Sequence, residues 1–242
     1  ADLLSVLASQ DGTLTESVVE NEVKGKVIQD KGTANLFPIW NEDGTKVAYL
    51  SNQDHDYFGN TDLFVMDLKT NTSQKIIDGV YSKPAWNGES IYYAKKAKMP
   101  NKVGSRDYDL YEYDLTTNKE FRLTRDARAF SPVFVSNDSA LFYLATYDGT
   151  QNIFKIDLKS KSTVNITNFN NREIIGGLKY DGENHRLVFD MTTHHFRNIH
   201  YLSLLDSTSG AILNNELWDE RQSDNSKWGM VYSDDRSGIF NL

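Results

Sequence analysis

Apolar and polar residues alternate in short runs along most of this chain, and turn residues separate the runs. In the stretch from Pro38 to Thr70, an apolar run, Val47 to Leu50, follows an Asp-Gly turn, and another β-rich run begins at Asp62. Short alternating runs punctuated by Gly, Asn and Asp are typical of β-strands joined by tight turns, and helices show a longer period. The pattern therefore predicts an all-β fold.

The outline of this stretch recurs with a nearly constant period. The aromatic residue of the first predicted strand returns at spacings of 46, 48 and 44 residues, as Trp40, Trp86, Phe134 and, in its place, Leu178. A polar residue that opens the third predicted strand returns at spacings of 47, 43, 46 and 43 residues, as Asp62, Asp109, Asn152, Asn198 and Asn241. Two positions with the same period identify an internal structural repeat.

A repeat of about 45 residues with four short strands is the size of one β-propeller blade. A single four-stranded sheet cannot bury both of its faces, whereas sheets stacked around an axis cover one another. We therefore expect a β-propeller of four-stranded antiparallel blades. Counting the partial repeats at both ends, the sequence predicts six blades, two of them incomplete.

The predicted blades divide the whole chain. Four full blades are expected, over residues 36–79, 82–125, 129–167 and 173–215. Residues 1–33 align with the later strands of a blade and predict a partial one, and residues 217–242 predict a second partial blade. Because a blade cut after two or three strands leaves an unpaired edge, we expect this propeller to belong to a longer chain.

Composition and charge exclude several classes of function. The 242 residues are 39% hydrophobic and carry a net charge of -8, which disfavours nucleic acid as a partner. The longest apolar run, Ala140 to Ala145, is too short to insert into a membrane. There is no cysteine, no Gly-X-Ser-X-Gly and no His-Glu-X-X-His, so we expect neither a catalytic centre nor a cofactor within the chain.

The repeat resembles a known family. PIWNEDGTKVAYLSN followed by TDLFVMDLKT, and SPVFVSNDSALFYLA followed by QNIFKIDL, are similar to the TolB-type propeller repeat, which has the form Pro-X-Trp-Ser-Pro-Asp-Gly, an apolar strand and Asp-Ile-Tyr-Val-Met-Asp. The chain departs from this form where Asn41-Glu42 replaces Ser-Pro and where Gly176-Gly177 replaces the proline. In loop detail, SNQDHDYFGNTDLFV and SRDYDLYEYDL resemble propellers attached to zinc peptidases of the gluzincin type.

The resemblance implies two alternative functions. TolB propellers bind partner proteins in the periplasm, which implies a non-catalytic module that binds a protein or peptide. Related propellers accompany the catalytic domains of zinc metallopeptidases and prolyl-oligopeptidase-like enzymes, which implies an accessory domain that gates substrate. In that case other domains of the same longer chain would be its partners. Either function implies a periplasmic or extracellular location.

Loop lengths indicate which face of the propeller binds. The predicted turns between first and second strands and between third and fourth strands are short, whereas the connections on the opposite face are long and varied. Rigid scaffolds carry binding residues on such loops, with aromatic and arginine side chains as anchors. The candidate partner-binding residues are Asp56, Tyr57, Arg106, Tyr108, Arg128, Tyr147, His195 and Arg236.

Three other patterns have alternative interpretations. The repeated Asp and Asn residues at the start of the third strands are expected to cap backbone donors rather than to bind a ligand in the axial channel. An oxygen-rich loop is a candidate calcium site or a solvated loop; its members are Asp54, Asp56, Asn60 and Asp62. A basic run either docks an acidic partner or is solvated; it comprises Lys95, Lys96, Lys98, Lys102 and Arg106.

Overall fold

The described part of the chain is built of β-strands and the turns that connect them. A computed structural model describes residues 27–193, 195–226 and 229–240. The chain divides into two compact units, Ala1–Asp30 and Lys31–Leu242, and every strand described lies in the second. The predicted partial blade over residues 1–33 lies outside the described residues except for 27–33, which contain no strand. Among the described residues no helix is long and apolar enough to cross a membrane.

Four sheets of four antiparallel strands follow one another along the chain, and each sheet keeps its strands in sequence order. The first contains β1 (Asn35–Trp40), β2 (Lys46–Ser51), β3 (Asp62–Asp67) and β4 (Thr72–Ile77). The second contains β5 (Ala85–Asn87), β6 (Ser90–Lys96), β7 (Tyr108–Asp114) and β8 (Lys119–Arg122). The third contains β9 (Ala129–Val135), β10 (Ala140–Tyr147), β11 (Thr150–Asp157) and β12 (Thr163–Asn165).

The fourth and fifth sheets complete the described part of the molecule. The fourth sheet contains β13 (Ile174–Asp181), β14 (Arg186–Thr193), β15 (Phe196–Ser203) and β16 (Ser209–Ala211). The fifth has two described strands, β17 (Glu220–Ser226) and β18 (Gly229–Asp234). The sheets form a ring of propeller blades, which confirms the predicted fold class. Four complete blades and one two-stranded sheet are described, and the total of six stays a prediction.

The apolar core lies between successive blades. One cluster joins the first two blades through residues such as Leu50, Leu63 and Tyr93. A second joins blades two and three, and a third joins blades three and four through Phe142 and Phe189. The apolar residues on one face of each sheet pack against the neighbouring sheet on that side. Repeating the blade therefore buries the apolar faces that a single sheet would leave exposed.

The first strand of several blades contains a β-bulge that faces the axis. In each case two residues of the first strand oppose one residue of the second, at positions 37–38, 131–132, 176–177 and 222–223. Phe37, Ser131 and Gln222 have positive φ angles of 53°, 49° and 53° at these bulges. Such bulges bend a strand and turn its side chains away from the regular alternation. These innermost residues therefore line the axial space instead of packing between blades.

The bulge of the fourth blade accommodates a buried carboxylate. Asp190 of β14 is the cross-strand partner of Ile199. The residues equivalent to Asp190 in the first and third blades are apolar, Leu50 of β2 and Leu144 of β10. Its Oδ1 accepts a hydrogen bond from the backbone N–H of Gln222 at 3.3 Å, and its Oδ2 lies 3.3 Å from Nη1 of Arg197. Burial raises the pKa of Asp190 above its ordinary value. This carboxylate therefore links the fourth blade to the fifth.

Candidate functional site

The long connections lie on one face of the propeller, as the strand order requires. Residues 52–61 join β2 to β3, residues 97–107 join β6 to β7, and residues 123–128 lead from the second blade to the third. Turns on the opposite face, such as 68–71, 115–118 and 158–162, contain four or five residues. We call the face with the long connections the loop-rich face.

A first cleft of about 540 Å³ opens on this face where the first two blades meet. It is lined by the end of the β2–β3 loop, the segment that leads from β4 to β5, and the two ends of the β6–β7 loop. Its lining residues include His55, Asn60, Asp62, Asp78, Tyr81, Lys95, Lys96, Lys98, Arg106, Tyr108 and Glu120. Most residues of the predicted basic run therefore converge on a concave surface.

Two stacked tyrosines form an aromatic surface in this cleft. The rings of Tyr81 and Tyr108 lie 4.3 Å apart with an interplanar angle of 28°. The N–H of Tyr81 bonds to the carbonyl of Ala94 at 2.9 Å, which fixes the segment between the two blades. Nζ of Lys96 lies 5.5 Å from the centre of the Tyr108 ring, within range of a cation–π interaction. The Tyr81 ring remains exposed and is therefore available to a ligand.

A second cleft of about 360 Å³ adjoins the first between blades two and three. The two clefts share Tyr81, Arg106 and Tyr108, and the second adds Asp107, Arg128, Phe130, Thr146 and Gln151. Nε of Arg128 lies 3.5 Å from Oδ1 of Asp107, and the Arg128 side chain is 59% exposed. The pair is therefore a weak surface ion pair that leaves the guanidinium accessible.

The carboxylates of the first cleft are already partnered, whereas three of its cations are not. Glu120 accepts hydrogen bonds from the hydroxyl of Tyr93 and from Lys95. Lys96, Lys98 and Arg106 form no ion pair with any residue in the described part of the chain. Lys96, Lys98 and Arg106 are therefore cations of this cleft that an acidic ligand could pair with.

The structure brings together three of the eight predicted partner-binding residues. Arg106, Tyr108 and Arg128 line the second cleft. The other five are exposed on separate parts of the molecule and line neither cleft; they are Asp56, Tyr57, Tyr147, His195 and Arg236. Among these, the Tyr57 ring contacts Phe58 at 5.9 Å between centres. A role in partner binding stays a prediction for all eight.

The candidate calcium loop is organised around a lysine. Nζ of Lys75 lies 3.0 Å from Oδ2 of Asp54, 3.0 Å from Oδ1 of Asp78 and 3.4 Å from Oδ2 of Asp62. Hydrogen bonds to Asp78 and Asp54 raise the pKa of Lys75. Asp56 and Asn60 are exposed in the same loop. Within the described residues no cluster of His, Asp or Glu has the geometry of a metal site, and calcium binding stays a prediction.

The repeated polar residues that open the third strands cap backbone donors, as predicted. Oδ1 of Asp62 accepts from the N–H of Gly79 at 2.9 Å, and Oδ1 of Asn152 accepts from the N–H of Phe169 at 2.7 Å. Asp109 and Asn198 accept equivalent bonds from the segments that follow their own blades. These side chains therefore fasten each linker between blades. Asn241, the fifth member of this series, lies outside the described residues.

Sequence reasoning missed Tyr81 and Phe130, which complete the two clefts. Tyr81 lies in the segment between the first and second blades, and Phe130 lies at the start of β9, the first strand of the third blade. A usable signal was present, because Tyr81 immediately follows the end of one repeat in a polar segment, where no core position requires an aromatic residue.

Solved structures that are similar to this fold include TolB and chains of several peptidases. TolB from Acinetobacter baumannii is 16% identical with a TM-score of 0.62, and the match covers 83% of this chain and 51% of that one. The β-propeller domain of the Trilobed protease from Pyrococcus furiosus is 14% identical with a TM-score of 0.63, covering 84% and 62%. A puromycin-hydrolyzing peptidase from Mycobacterium tuberculosis is 11% identical with a TM-score of 0.62, covering 91% and 37%.

Sequence comparison alone adds no relative. No family model matches the chain, and no curated protein matches it. The chain spans about half the length of the Acinetobacter TolB. At these identities the likeness shows the fold alone: the chain is a β-propeller whose blades resemble those of TolB and of peptidase propeller domains.

Proposed function

We propose that this chain is a non-catalytic binding module that holds a protein or peptide partner on its loop-rich face. The observation that carries the proposal is the pair of adjoining clefts that share Tyr81, Arg106 and Tyr108. The family resemblance supports a periplasmic or extracellular location.

The chemistry of the clefts suits a protein ligand. Tyrosine and arginine are the residues most often found at the energetic centres of protein interfaces, because they combine a large contact area with directional hydrogen bonding. Here the stacked tyrosines offer an aromatic surface, and Arg106 and Arg128 flank it. The walls are strand ends, the linkers between blades and parts of the β2–β3 and β6–β7 loops, so a ligand contacts several segments of neighbouring blades at once.

Charge reversal on the two faces tests this proposal. The full chain is immobilised and used to capture proteins from an extract of its source cells, with identification by mass spectrometry. The double variant Arg106→Glu and Arg128→Glu should weaken binding of a specific partner about thirtyfold or more, since losing each of the two interface anchors costs more than about 1 kcal/mol. The matched control is Lys119→Glu, at the start of β8, with Lys159→Glu, in the turn between β11 and β12; both lie toward the opposite face, and this control should leave capture unchanged. Capture that is insensitive to the first pair contradicts the proposal.

A second candidate is an accessory propeller that gates substrate for a peptidase domain. The match to the puromycin-hydrolyzing peptidase favours this candidate. The match covers 91% of this chain but 37% of the peptidase chain, so the matching propeller is one part of a larger peptidase. The sequence of the coding region on both sides distinguishes the candidates. A His-Glu-X-X-His upstream or a serine hydrolase domain downstream would support the accessory function. If the coding region contains neither of them, the binding module is the better account.

A further inference from the structure

The axis of the propeller contains a third cavity, which adjoins the clefts of the loop-rich face. Its volume is about 610 Å³, and it is lined by strand residues of four described sheets and by the segment that precedes β5 of the remaining one. Tyr81 and Phe130 line both this axial cavity and the second cleft. A ligand that lies across Tyr81 can therefore extend from the loop-rich face into the axis.

The axial cavity carries an unbalanced group of charges. Lys83, in the segment that precedes β5, and Lys179 of β13 both line it, together with Asp224 of β17. Nζ of Lys179 lies 2.8 Å from Oδ2 of Asp224. Lys83 forms no ion pair with any of the residues that the structure describes. Of the two ammonium groups, which come from different blades, only that of Lys179 therefore has a carboxylate partner.

The surroundings of Lys83 are unfavourable for its charge. Burial lowers the pKa of Lys83, and the nearby positive charge of Lys179 lowers it further, with Asp224 acting in the opposite direction. Asp190, the other carboxylate that lines the cavity, is bound to the fifth blade and paired with Arg197. An anion placed beside Lys83 would offset both unfavourable effects.

We propose that the axial cavity binds a carboxylate of an acidic peptide segment between Lys83 and Lys179, while the rest of the segment lies across Tyr81. This inference rests on the proposed function and adds the chemistry of the partner. Because Asp224 is paired with Lys179 and Asp190 with Arg197, Lys83 is the lining cation left without a carboxylate, and its single positive charge matches the single negative charge of a carboxylate. Lys96, Lys98 and Arg106 in the first cleft favour further acidic residues along the same segment.

A labelled acidic peptide tests the proposal directly. The probe is hexaglutamate with a fluorescent amino-terminal label, its binding is measured by fluorescence anisotropy, and labelled hexaglutamine amide is the uncharged control. Lys83→Met keeps the apolar stem and removes the ammonium group, so it should weaken hexaglutamate binding about tenfold or more, the loss typical of a hydrogen bond to a charged group. Lys159→Met, in a turn of the opposite face, is the matched control and should bind as the unmodified chain does.

The ionisation of Lys83 gives an independent readout. After labelling of the lysines with ¹³C-methyl groups, which preserves their charge, NMR titration follows each ammonium, and Lys83→Met identifies the Lys83 signal. Lys83 should lose its proton at lower pH than exposed lysines, and hexaglutamate should raise its pKa because a nearby negative charge stabilises the ammonium. An unchanged Lys83 titration at saturating peptide, unaltered binding in Lys83→Met, or no binding at millimolar peptide would each overturn the inference.

The two proposals fail in different ways. If charge reversal at Arg106 and Arg128 abolishes partner capture while Lys83→Met binds hexaglutamate normally, the axial inference is wrong and the proposed function stands. If capture is insensitive to Arg106 and Arg128, the proposed function is wrong, and the axial inference fails with it.

Discussion

At the residue scale, each complete blade contains a stacked pair of rings on its two central strands. Tyr49 with Phe64, Tyr93 with Tyr111 and Tyr143 with Phe154 are direct cross-strand partners with ring centres 5.6 to 6.1 Å apart. In the fourth blade the pair is Phe189 with His200, at 6.0 Å. An imidazole therefore occupies a position at which the other blades have an aromatic hydrocarbon ring or a phenol.

His200 should make folding sensitive to mild acid. Burial lowers the pKa of His200 below its ordinary 6.5, so the folded state favours the neutral ring. The associated stability is fully present above pH 6.5 and is lost as the pH falls toward the lowered value. His200→Phe should remove this loss, which is at most about 2 kcal/mol between pH 6.5 and pH 5. Urea unfolding at pH 7.5 and pH 5 measures it.

The exposed His195 supplies the control for that comparison. His195→Phe alters an imidazole at the solvent-facing turn between β14 and β15, and it should leave the pH dependence of the unchanged chain intact. Equal loss of stability in His200→Phe and in the unchanged chain would show that His200 does not cause the acid sensitivity.

At the element scale, the sequence predicts strands well and irregularities poorly. The predicted apolar run from Val47 to Leu50 lies within β2, and the run predicted to begin at Asp62 is β3. The bulge at Phe37 was not predicted, because an extra residue in one strand is visible only against its pairing partner. The Gly176-Gly177 departure was noticed in the sequence, but its cause, the buried Asp190, lies on another strand.

Gly176 and Gly177 should tolerate a methyl group very differently. A Cβ on Gly176 would lie 2.0 Å from Oδ2 and 2.6 Å from Cγ of Asp190, whereas a Cβ on Gly177 would meet no atom within 4 Å. Gly176→Ala should therefore destabilise the fold by about 1–3 kcal/mol, the usual cost of overpacking. Gly177→Ala is the matched control and should change stability by no more than about 0.5 kcal/mol.

Chemical denaturation of both variants measures this difference. Adding Asp190→Ala to Gly176→Ala should recover part of the lost stability, because the clash then has no partner; a double-mutant cycle reports that coupling. Equal effects of the two glycine substitutions would show that Asp190 does not require a glycine at position 176.

At the scale of the whole molecule, binding sites arise where blades meet. The first cleft combines Tyr81, which ends one repeat, with Tyr108, which lies in the next, and Arg128 reaches the second cleft from a later linker. Loop lengths correctly indicated the face on which these clefts lie. They could not show which side chains would adjoin, because those contacts depend on the angle between neighbouring sheets and on linkers that the repeat leaves unconstrained.

Hydrogen–deuterium exchange of the captured complex tests the central claim, that the clefts of the loop-rich face hold the partner. The account predicts slower exchange on partner binding in residues 78–84, 97–107 and 123–128, and unchanged exchange in the opposite turns 68–71, 115–118 and 158–162. Protection confined to those opposite turns, with none around Tyr81 and Tyr108, would contradict it.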